Sequence, residues 1–183
     1  MKLARFLALA VALGFGICWF ASAAADENDL KASILKLAAA LEKNDKDAAK
    51  KLIDEIRKAD LEDIMYLMKS PAKTGVDVGF KEGIEQKLIN ASKKATDAKS
   101  SAAAYEKSAS IISAIAEVVS DKCPVKEKKG AKDPKDWATW ISELKESAGG
   151  LKEAAKSNDA KKLSAAAKKV TGVCTTCHEV FKD

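Results

Sequence analysis

The sequence is short of histidine, proline and aromatic side chains: 183 residues include one histidine, three prolines and 5% aromatics. One histidine excludes any centre that needs two imidazole ligands from this chain. Alternating β-branched runs, which would mark strands, are missing, while alanine and lysine abound, so the composition points to an all-α protein. Basic patches interleaved with aromatics are also missing. The lysines alternate with acids and alanines, as on solvated helix faces, and no nucleic-acid partner is expected. The one long apolar stretch, Phe6 to Phe20, is about 15 residues, short of the roughly 20 that a bilayer span requires.

That stretch follows Lys2 and Arg5 and precedes Ala21-Ser22-Ala23, the order of a secretory signal peptide. Residues 1–25 are therefore expected to be a cleaved leader, cut after Ala23 or Ala25, with no membrane attachment afterwards and a periplasmic or other extracytoplasmic destination. Removal of Lys2 and Arg5 lowers the formal charge from +5 to +3. It also removes Cys18, leaving Cys123, Cys174 and Cys177. The remaining 26–183 segment, about 158 residues, suits one domain.

Apolar residues recur at helical spacing along this segment. Leu30, Ile34, Leu37 and Leu41 form one stripe; Ala48, Leu52, Ile56, Leu61, Ile64, Met65 and Met68 form the next, after Asn44-Asp45. These predict a helical hairpin over 28–69. Pro71 to Gly79 breaks the pattern. Four core helices are expected at 79–95, 98–120, 134–156 and 158–182, joined by short turns as in an up-and-down bundle. Residues 121–133, with Cys123-Pro124, a lysine cluster and Gly130, read as a loop. Asp133-Pro134 supplies an N-cap followed by proline at the first helical position, and Ser157-Asn158-Asp159 ends one helix and caps the last. Gly149-Gly150 is expected to interrupt the third core helix, for close packing or a kink. On the fourth, Leu163, Ala166, Val170, Cys174, Cys177 and Phe181 line one side.

Cys174-Thr175-Thr176-Cys177-His178 is a C-x-x-C-H pentapeptide, the attachment signature of a c-type haem. Two thiols at this spacing can add across the haem vinyl groups, and the adjoining histidine is then an axial iron ligand. One haem c, covalently bound through two thioethers at Cys174 and Cys177 with His178 as proximal ligand, is the expected cofactor. A zinc set of Cys123, Cys174, Cys177 and His178 competes poorly, because zinc ligands usually come as two separated clusters. A redox dithiol would be expected beside a βαβ pattern, and no strand pattern is present.

A C-x-x-C-H close to the C-terminus of an exported all-α chain resembles the class II cytochromes c, the cytochrome c′ group. Their pattern C-x-x-C-H-x-x-(aromatic)-(basic) is matched by Cys174, Cys177, His178, Phe181 and Lys182. The likeness covers roughly the last 110 residues and implies a four-helix bundle. The longer N-terminal part and the Cys-Pro loop depart from the group.

With the only histidine on the proximal side, the opposite position falls to sulfur, another side chain, water, a gas or nothing. Bundle topology brings the 121–133 loop, the 70–78 loop and the Met65–Met68 region to the haem end. Met65 or Met68 would give a higher-potential electron carrier, although methionines at helical spacing among leucines more often pack a core. An open site would bind small gases. Cys123 is the odd thiol of an exported chain, lies in the capping loop and precedes proline, as in haem-binding thiolates. In this respect the chain resembles the small dimeric class II cytochromes of anaerobic ammonium-oxidising bacteria, which combine haem c with His/Cys ligation. That resemblance implies low potential and binding of nitric oxide or carbon monoxide by ligand displacement. A metal set of His178 and Cys123 follows as the expectation.

Single-electron transfer with a redox partner protein is the expected function, and gas binding or sensing the alternative. Dimerisation, with an identical or a different subunit, is expected from the resemblance. Neither a distal histidine nor an evident acid/base group supports catalysis, so the chain is not expected to be an enzyme.

Overall fold

The structure, a computed structural model, describes residues 27–182. The expected leader, residues 1–25, lies outside the described residues. Seven helices follow in order: α1 (Glu27–Glu42), α2 (Lys46–Ile56), α3 (Leu61–Tyr66), α4 (Ile84–Lys93), α5 (Ala102–Val119), α6 (Pro134–Lys156) and α7 (Ala160–Phe181). Among the described residues there is no strand, and an isolated bridge between Lys129 and Lys132 closes a turn in the α5–α6 loop. The fold is an all-α helical bundle.

The four expected core helices are α4 to α7. Helix α5 packs on α6, α6 on α7 and α7 on α4, while α1 packs on α2 and α5. The directions alternate. Trp137, in the first turn of α6, donates from Nε1 to the Val119 carbonyl at the end of α5, at 3.1 Å. Ser164, near the start of α7, donates to the Ser92 carbonyl near the end of α4, also at 3.1 Å. The C-terminal end of α7 therefore lies with the start of α6, the end of α5 and the start of α4.

The caps form where the sequence puts them. Asp133 accepts from the Lys135 N–H at 2.9 Å, with Pro134 at the first helical position. Asp159 accepts from the N–H groups of Lys161 and Lys162 at 2.8 and 3.1 Å. Each bond satisfies an amide that the first helical turn leaves without a partner.

Three expectations are corrected. The hairpin over 28–69 is three helices rather than two, because the chain leaves α2 after Ile56 and turns at 57–60 before α3. The segment 79–83 is loop rather than helix. Gly83 has φ +88°, a left-handed conformation that glycine adopts without strain, and a Cβ there would lie 2.3 Å from the Lys69 carbonyl carbon. The loop folds back on itself here: the Val76 N–H donates to Leu67 at 2.9 Å and the Glu85 N–H to Met68 at 3.0 Å. Finally, Gly149 and Gly150 neither interrupt nor kink α6. Both are exposed in a continuous helix, and a Cβ at either would meet nothing within 4 Å.

Helix α5 is buried nearly all round, from Tyr105 through Val119. A helix with apolar residues on every side needs neighbours on every side. The α1–α2 hairpin supplies the outer cover, and Leu30, Ile34 and Leu37 join the core that the bundle forms. A further tie comes from Glu42, which accepts from Ser110 of α5 at 2.5 Å and from Lys152 of α6 at 2.7 Å.

Candidate haem-binding site

Cys174, Cys177 and His178 lie in the last two turns of α7, a helix of 22 residues. Spacings of three and four residues put Cys174 on the same face as Cys177 and His178. All three are half-buried, and the two thiols pack against the core, as do Val170 and Phe181 on the same stripe. Phe181 meets Trp137 and Trp140 of α6 edge to face, with ring centroids 5.1 and 5.8 Å apart. This aromatic cluster closes the end of the α6–α7 interface with apolar surface.

Burial pushes the Cys174 thiol up to about 12, with the Glu85 carboxylate adding to the rise. Burial also raises the Cys177 thiol. Redox C-x-x-C motifs and zinc sites need the thiolate, and reactive dithiols have lowered pKa values. Here both thiols are held neutral. Among the described residues no three His, Cys, Asp or Glu side chains are grouped to hold a metal ion, so the zinc alternative is not assembled. Cys123, Cys174 and Cys177 are all free of disulfides.

The His178 imidazole is pushed down by burial and by the nearby charges of Lys182 and Lys69, against the Glu85 carboxylate, which raises it. A neutral imidazole is the form that ligates a metal. Its side chain makes no hydrogen bond among the described residues, so both ring nitrogens are uncommitted. Two neutral thiols facing the apolar core and one uncommitted imidazole beside them form a donor set that suits covalent haem c.

Cys123 lies in the loop after α5, half-buried and packed against the core, three residues past the Ser120 carbonyl that accepts from Trp137 Nε1 at 3.3 Å. The loop thus comes to the end of the bundle at which α7 finishes. Met68, just beyond α3, is 5% exposed and belongs to the core, whereas Met65 is partly buried beside it.

Two residues near the pentapeptide were not singled out by sequence reading. Lys69 and Glu85 form an ion pair at 2.5 Å and line an open cleft of about 260 Å³ with Ser70, Lys73, Glu82 and Gln86. Both act on His178, and Glu85 also on Cys174. Acidic and basic residues are frequent throughout the chain, and nothing local distinguishes these two before α4 docks on α7.

No curated protein and no solved structure matches the chain. The cytochrome c′ family model matches residues 84–182, which runs from the first residue of α4 to just past the last of α7. That span includes the pentapeptide and exceeds half of the sequence, and the chain belongs to the cytochrome c′ family.

Proposed function

We propose that the chain is an exported monohaem c-type cytochrome for single-electron transfer, with Cys174 and Cys177 holding haem c through two thioethers, His178 as proximal ligand and Cys123 as distal ligand. The observation that carries this reading is the convergence of the pentapeptide and the odd thiol at one end of the bundle: Cys123 and Cys177 both pack against the core, and Trp137, which holds the end of α5 just before Cys123, meets Phe181 just beyond the pentapeptide. Family membership supports the cofactor, since cytochromes c′ bind haem c.

When bound, the group supplies a one-electron ferric/ferrous couple. The chain's own residues would do the rest. The α7 face presents both thiols from one rigid helix, His178 offers an uncommitted nitrogen, and Trp137, Trp140 and Phe181 keep water from the α6 side. An anionic sulfur donor at Cys123 favours the oxidised state and so a low potential. The likeness to the dimeric His/Cys-ligated haem c proteins of anaerobic ammonium-oxidising bacteria is part of this reading, as are a redox partner protein and a dimer of identical or different subunits. Export by the leader fits a family whose members typically work in the periplasm, and no described helix is long and apolar enough to cross a membrane. No catalytic activity is proposed.

A second reading rests on the loop itself. Cys123 is only half-buried, and Pro124 and 126–131 beyond it are exposed. A ligand on so open a loop is displaceable, which favours binding of nitric oxide or carbon monoxide as the physiological event.

Acid-acetone extraction tests the attachment: the haem stays on the polypeptide, and a colourless precipitate would sink the proposal. Cys123→Ser should then raise the reduction potential, shift the ferric charge-transfer bands and speed carbon monoxide binding. Met68→Leu should leave the spectrum unchanged, as a volume-conserving core swap costing under about 1.5 kcal/mol. The reverse pattern would transfer the ligand role to methionine.

A further inference from the structure

The turn between α2 and α3 reaches across to the loop that bears Cys123. Arg57 Nη2 pairs with Asp121 Oδ2 at 2.7 Å, and Lys122 Nζ donates to the Ala59 carbonyl, also at 2.7 Å. Arg57 and Ala59 lie 27 and 25 residues before the family-matched segment begins, whereas Asp121, Lys122 and Cys123 lie inside it. These contacts therefore join this chain's own extension to the family-matched bundle one and two residues before the odd thiol.

The opposite side of the same segment is also held. Trp137 Nε1 donates to the Val119 carbonyl at 3.1 Å and to the Ser120 carbonyl at 3.3 Å, and the Lys122 N–H donates to Val119 at 3.0 Å. Residues 119–122 are thus gripped between α6 and the α2–α3 turn. Beyond Cys123, Val125 still packs against the core, while 126–131 are exposed, with a bridged turn at Lys129 and Lys132 and an ion pair of Lys128 with Asp133 at 3.7 Å. The Arg57 contact leaves its own Nε buried without a hydrogen-bond partner. Arg57 Nη1 also faces Asp54 Oδ1 at 3.9 Å, so the pair with Asp121 is the shorter of its two contacts.

We propose that the α2–α3 turn is a clamp on the Cys123 loop, with Arg57 and Lys122 as positioning residues that hold Cys123 over the C-terminal end of α7. This goes beyond the proposed function and rests on it only for its purpose: a clamped loop keeps a distal sulfur in place, and a loosened one lets it leave.

The test uses the haem-loaded chain without the leader that carries Cys18, in which thioether formation leaves Cys123 as the free thiol. Alkylation of Cys123 by iodoacetamide and the rate of carbon monoxide binding are measured in wild type, Arg57→Gln/Lys122→Met, Lys122→Met alone and Arg57→Lys. The Arg57–Asp121 pair is exposed on its carboxylate side, where such pairs are weak, and the Lys122 bond to a backbone carbonyl adds to it, so the double variant should raise both rates about threefold to tenfold. Lys122→Met alone should raise both less, and Arg57→Lys should stay near wild type because it retains the charge. Unchanged alkylation in the double variant overturns the clamp, whatever Cys123→Ser does to the spectrum. Faster alkylation in all three variants alike, Arg57→Lys included, would mean general loosening and would overturn it too. If alkylation rises as expected while Cys123→Ser leaves the ferric spectrum unchanged, the clamp stands and the ligand role of Cys123 falls.

Discussion

Single side chains in this protein are tuned by burial before they are tuned by neighbours. Cys174 and Cys177 rise because their helix face turns toward the core, and His178 falls for the same reason. Asp97 is a contrasting case. Burial pushes its carboxyl up, yet hydrogen bonds from Lys87 at 2.7 Å, Ser101 at 2.7 Å and Tyr105 at 3.0 Å outweigh this and hold it below its ordinary 3.8. Tyr105 is fully buried, and its phenol is pushed upward by burial and then by Asp97. A depressed carboxyl adds stability that is fully present above its unfolded value and is lost as pH falls through the folded one. Asp97→Asn should therefore cost about 1–3 kcal/mol at pH 7, the range for a buried group left unpaired. The deficit should shrink below pH 3.8, where the wild-type carboxyl also takes up its proton. Urea unfolding of both proteins at pH 7 and pH 3 measures it, and an equal deficit at the two values would show that the carboxylate charge contributes nothing.

At the scale of the element, α6 shows how little a helix interior depends on every residue being a good helix former. Gly149-Gly150 sits within 23 helical residues and costs roughly 1 kcal/mol per glycine relative to alanine. Its neighbours Ala148 and Leu151 are fully buried, and that packing keeps the helix continuous. Since a Cβ at Gly149 meets open space, Gly149→Ala should stabilise the protein by about 0.5–1 kcal/mol with no effect on the haem site. Thermal unfolding gives the answer, and a lower midpoint would show that helix propensity does not decide stability at this position. Helix α7 is ordered differently. Its cap at Asp159 and its stripe from Leu163 to Phe181 were legible in sequence, because both are local patterns.

The whole molecule is larger than the family segment within it. Ile111, Ile112 and Ile115 of α5, which packs on both α6 and the α1–α2 hairpin, have no exposed surface, and Ile34 of α1 is equally buried. One core therefore serves hairpin and bundle together. Ile34→Ala, 50 residues before the matched segment starts, should lower global stability by about 2–5 kcal/mol, as expected for a large-to-small change in a shared core. Hydrogen exchange would show whether amides of α5 lose protection together with those of α1. Loss confined to α1 would mean that the hairpin unfolds alone.

The sequence by itself determined the helical class, the caps at Asp133 and Asp159, the loop at 121–133 and the pentapeptide at Cys174, because each depends on residue types at short fixed spacings. It also placed Cys123 at the right end of the bundle, by counting alternating helices. Tertiary structure alone decided that α2 stops after Ile56, that 79–83 is not helical and that Lys69 and Glu85 stand beside His178. The reason is the same in each case. The break after α2 takes the chain to Asp121 and Lys122, the glycine at 83 makes room for the Lys69 backbone, and the charges of Lys69 and Glu85 matter only once α4 lies on α7. Contacts between residues 16 to 110 positions apart leave no periodic trace in the sequence, since either partner alone reads as an ordinary polar residue or turn.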